Sequence, residues 1–116
     1  MKARMSSSYP EVIEVVGQDI VINVHEDGAL ALTPFNITSA SGQIVDIAAT
    51  PLVFRVKSIA FAKPLAANPA DARGRGLALT KAECAAIPDG ARWAIFDETD
   101  PASPLDQGKG WLRKYS

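Results

Sequence analysis

The sequence predicts a mostly all-β chain: an antiparallel β-sandwich or barrel-like domain with one short helical turn near residues 80–87. Three observations point there. Short β-branched or alternating apolar runs recur along the 116 residues, separated by turns rich in glycine and proline. No strand is followed by a long amphipathic helix, so no βαβ rhythm develops. The composition, 47% hydrophobic and 22% charged, is that of a globular domain, and the length suits one core.

Taken in order, Glu11-Val12-Ile13-Glu14-Val15-Val16 is β-branched and partly alternating. It ends at Gly17-Gln18-Asp19, where glycine can supply a positive φ for a turn. Ile20 to His25 follows with Ile20, Ile22 and Val24 on one face, and Val21, Asn23 and His25 on the polar face. Glu26-Asp27-Gly28 stops that strand with turn chemistry. Short strands are expected at Phe35–Thr38 and at Ile44–Ile47, around the small-residue turn Ser39 to Gln43.

Pro51 opens the alternating strand Leu52 to Lys57, with Leu52, Phe54 and Val56 inward and Arg55 and Lys57 outward. Residues 62–76, with two prolines, two glycines and small alanines, read as a long surface loop. Leu77-Ala78-Leu79 is a short strand, and Thr80-Lys81-Ala82-Glu83 fits a capping box for a helix that Pro88 ends. A turn at Pro88-Asp89-Gly90 leads into the strand Ala91 to Asp97. A loop over Pro101–Gly108 precedes a last strand, Lys109–Tyr115. The expected core includes Ile20, Ile22, Val24, Phe54, Val56, Leu79, Ile87, Trp93 and Ile95.

Residues 1–10 read as a flexible polar arm, and residues 11–116 as a single domain. The stretch Met1 to Ser8 carries positive charge with no apolar run behind it, unlike a signal peptide, and Met5 offers an alternative start. With net charge −1 and scattered basic residues, no nucleic-acid surface is expected. No apolar run approaches the roughly 20 residues of a membrane helix, so no membrane partner is expected. The single cysteine, Cys84, rules out an intrachain disulfide and suits assembly in a reducing cytoplasm. The sequon Asn36-Ile37-Thr38 then reads as coincidence.

No catalytic, cofactor-binding or metal-ligating residue is predicted. His25, the only histidine, sits beside Glu26 and Asp27 in a turn and lacks the ligand count of a metal site. Cys84 lies in an alanine-rich turn and reads as a packed thiol without a basic partner. The acids Asp97, Glu98 and Asp100, with Asp106 or Asp46, do not match a calcium loop. Gly74-Arg75-Gly76 lacks the context of a dinucleotide site and reads as a loop end. Trp93 is assigned to the core, whereas Trp111 suits core and interface equally.

Read in order, these elements resemble the small β-sandwich modules of tailed-bacteriophage tail and baseplate proteins, including the N-terminal domains of baseplate upper proteins. The likeness begins with Gly17-Gln18-Asp19 opening the strand Ile20 to Val24. It continues through Ser41-Gly42-Gln43-Ile44-Val45-Asp46-Ile47 and Leu52 to Lys57. Gly76-Leu77-Ala78-Leu79-Thr80-Lys81-Ala82-Glu83, then Ala86-Ile87-Pro88-Asp89-Gly90-Ala91-Arg92-Trp93, resemble the strand, one-turn helix and aromatic strand of those modules. Gly108-Lys109-Gly110-Trp111-Leu112 looks like their closing strand.

The resemblance implies a non-enzymatic structural or adaptor subunit of a phage particle, in the tail, baseplate, neck or head surface. The implied partners are other virion proteins and copies of itself, in a homo-oligomeric assembly made in the host cytoplasm. A carbohydrate- or small-ligand-binding sandwich module is the alternative expectation, with no cofactor under either reading.

Overall fold

The computed structural model describes residues 10–116, so the expected arm over residues 1–10 lies outside the described residues except for Pro10. The chain opens with a hairpin of Ile13–Val16 (β1) and Asp19–His25 (β2). Its two-residue turn is closed by Gly17 at φ 65°, the first position of a type II′ turn, which suits the strand twist. Leu30–Phe35 (β3), Ile37–Thr38 (β4), Ile44–Val45 (β5) and Leu52–Val56 (β6) follow. A 3-10 turn, Lys57–Ile59, leads into Phe61–Pro64 (β7) and Ala66–Ala67 (β8). Arg75–Leu79 (β9), the helix Lys81–Ala86 (α1), Arg92–Asp97 (β10) and Leu105–Tyr115 (β11) complete the order.

The fold is mostly β, as the alternation predicts. One six-stranded sheet runs β1-β2-β11-β10-β6-β7, and a three-stranded sheet runs β3-β9-β8, with β4 and β5 paired apart. The sandwich is not purely antiparallel, because β11 pairs with β2 in parallel, from Gly110 opposite Ile20 to Tyr115 opposite His25. The hairpin with β10 sets the direction of β11, and β2 presents its unpaired side in that same direction. Such a pairing leaves no local mark in a sequence.

Phe54, Ile22, Leu52, Leu79, Ile87, Leu112, Val56 and Cys84 are fully buried, with Trp93 and Ile95 close to it. Phe54 lies between Trp93, at 5.4 Å between ring centroids, and Phe61, at 6.2 Å. Eight of the nine expected core residues are buried; Ile20 is half-buried, beside Gly110, which offers no side chain to cover it. Thr80 caps α1 as expected: its hydroxyl accepts from the Glu83 N–H, and the Glu83 carboxylate accepts from the Thr80 N–H. Glu83 also takes Lys63 at 2.6 Å, tying α1 to β7.

The structure departs from the sequence reading in four places. The long loop over residues 62–76 carries β8, the end of β7 and the start of β9, and its Leu65 and Asn68 are buried. Arg75 holds this stretch, donating to the carbonyls of Leu65 at 2.9 Å and Ala48 at 3.1 Å. A strand over Leu30–Phe35 occupies residues to which the sequence assigns no element before Phe35, and the last strand begins at Leu105 rather than Lys109. Finally, Val21 and Asn23 are buried although they sit on the expected polar face of β2. Val21 is hemmed by Glu14 and Trp111 in the neighbouring strands, while the Asn23 amide donates to the Glu11 carbonyl at 2.7 Å and to the Glu14 carboxylate. Central strands flanked by long side chains are covered on both faces.

Candidate functional site: an open sheet edge

The sandwich is closed along one side and open along the other. On the closed side, β7 runs through buried Leu65 straight into β8, so one stretch of chain passes from the larger sheet to the smaller. On the open side β1 and β3, each an edge strand among the described residues, face each other across a cavity of about 90 Å³. Ile13, Ile20, Phe35, Leu77 and Trp93 line it, and almost all of its surface is apolar. A shallower groove of about 330 Å³ continues from it along Val12, Leu32, Pro34 and His25, sharing the Ile13 wall.

The two edges differ in chemistry. β3 carries Pro34, which has no N–H to offer an incoming strand, and β7, the far edge of the larger sheet, carries Lys63 and Pro64. Proline and lysine are how sheets blunt their edges. β1 has neither. Its sequence is Ile13-Glu14-Val15-Val16, and three valines at this edge are open to solvent: Val12 is 50% exposed, Val15 75% and Val16 47%. Val15 shares a cross-strand row with Ile20, Gly110 and Trp93, so it lies on the inner face, yet it is 75% exposed and no described residue covers it.

Trp93 lines the cavity, and the indole N–H of this buried residue has no hydrogen-bond partner among the described residues. An unpaired buried donor costs about 1–3 kcal/mol. The inner face of β11 makes room here: a Cβ on Gly108 would lie 3.3 Å from the Phe35 ring.

The residues weighed for chemistry are dispersed. His25 is exposed; its Nδ1 accepts from the Asp27 N–H at 3.0 Å, and its ring meets Tyr115 edge-on at 5.5 Å. Cys84 is buried under α1, and desolvation raises its thiol above the ordinary range. The acids each serve their own turn. Asp97 accepts from the Thr99 hydroxyl and N–H, which lowers its carboxyl; Asp100 accepts from Ala102, Asp106 from Gly108 and Asp46 from Ala48. Glu98 makes a two-pronged pair with Arg55 at 2.6 and 2.8 Å, and that pairing lowers the Glu98 carboxyl. Among the described residues, no three His, Cys, Asp or Glu side chains converge as a metal site would require.

Gly74 and Gly76 serve packing. A Cβ on Gly74 would lie 2.1 Å from the Asn36 side-chain oxygen, and one on Gly76 would lie 2.6 Å from Leu32. Trp111 is half-buried on the outer face of the larger sheet, with the Arg92 guanidinium 5.4 Å from its ring centre. Arg92 in turn pairs with Asp19 at 3.1 Å. Trp93 and Trp111 therefore occupy opposite faces of one sheet. The open edge was not singled out in the sequence, because an uncovered Val15 and a core valine read alike.

Comparisons with family models, with curated proteins and with solved structures give no match to this chain.

Proposed function

We propose that this chain is a non-enzymatic structural or adaptor subunit of a bacteriophage particle, in the tail, baseplate, neck or head surface. On this reading it works through contacts with copies of itself and with other virion proteins. The observation that carries the contact role is the unblunted β1 edge, with Val15 75% exposed and Ile13 lining an apolar cavity. An edge of that kind is a template for strand addition, and monomeric sheets ordinarily protect theirs. The phage assignment rests on the likeness of the segments from Gly17 to Leu112 to tail and baseplate modules. The glycan-binding reading is the weaker one, since Arg92 already occupies a face of Trp111, the aromatic on the outer sheet face.

The test is incorporation into particles of a Val15→Lys variant, a lysine being what blunts natural edges. The parent chain is expected in purified particles by mass spectrometry. The variant, folded by far-UV circular dichroism, is expected to be depleted from them. Absence of the parent chain from purified particles would overturn the phage reading. Undiminished incorporation of the variant would overturn the role of the edge.

A further inference from the structure

No further inference is drawn: the strongest candidate, the apolar cavity of about 90 Å³ between β1 and β3 with the groove that continues from it, belongs to the site already described, and nothing in the structure shows what covers it.

Discussion

A single methyl group at Gly110 should destabilise this protein more than most core truncations would. Gly110 lies on β11 where it pairs in parallel with Ile20 of β2. A Cβ built there would lie 1.6 Å from the Ile20 carbonyl oxygen, 2.6 Å from its carbon and 2.8 Å from its nitrogen. All three are backbone atoms, so no side-chain rotation relieves the contact. Ordinary separation of carbon and oxygen, about 3.5 Å, requires the two strands to part by nearly 2 Å. That breaks the adjoining ladder bonds, at about 1 kcal/mol each, and displaces packed side chains at a cost of about 1–3 kcal/mol. The total for Gly110→Ala is about 3–5 kcal/mol, a large part of the 5–15 kcal/mol by which domains are stable. The opposite sign follows from propensity alone, since Gly→Ala at a compatible site stabilises by about 0.4–1 kcal/mol. Urea unfolding followed by tryptophan fluorescence measures it. With a slope of about 1.5 kcal/mol per molar, the midpoint should fall by roughly 2–3 M. Gly108→Ala is the control, because its Cβ would meet the Phe35 ring at 3.3 Å, where a small ring shift suffices. Its cost should stay below about 1 kcal/mol. A Gly110→Ala variant as stable as the parent would refute the close approach of β2 and β11.

Phe54→Ala removes a fully buried ring that touches Trp93 and Phe61, and should cost about 3–5 kcal/mol by the same assay, with Phe54→Leu recovering most of it. Thr80→Ala deletes one half of the capping box and should cost about 0.5–2 kcal/mol. Glu98→Gln should lower stability by at most about 1 kcal/mol near neutral pH, because the Arg55 pair is partly solvated. The Arg55 pairing lowers the Glu98 carboxyl in the folded state, so its contribution is present above the ordinary Glu value. It is lost as pH falls through the lowered folded value, and urea midpoints of parent and variant should converge in acid. The Cys84 thiol, buried with its pKa raised by desolvation, should react with a thiol reagent only at the rate of unfolding, and fast reaction in native buffer would contradict that burial.

The strands that were legible in the sequence are those with one covered face and clean alternation. Leu52, Phe54 and Val56 of β6 point inward as their spacing implies, and so do Trp93 and Ile95 of β10. The capping box at Thr80 and Glu83 was equally plain, since it depends on residues three apart. What escaped was non-local. Alternation says which residues share a face but not whether the other face is covered, so it puts Val21 and Asn23 on the polar face although both are buried. β8 is two alanines, and β3 contains a proline, so neither carries a strand signal strong enough to stand against its surroundings. The candidate site was illegible for a related reason: the unpaired state of β1 follows from where β11 and β3 lie, which residues 13–16 do not encode.

The parallel seam between β2 and β11 has a consequence for when this protein can fold. Ile20 and its partner Gly110 are about 90 residues apart in the chain, as are the pairs that follow them. Closing a loop of that size is slow, and synthesis adds only about 5–20 residues each second. For several seconds on the ribosome, the β1–β2 hairpin therefore has no neighbour on its inner flank. Its valines and isoleucines stay in contact with water and with whatever chaperones are near. The larger sheet closes only once residues 110–115 have emerged, so β1 becomes the edge of a finished sheet last of all. A nascent chain consequently cannot present that edge within an ordered sheet until residue 115 has been synthesised and has cleared the ribosome.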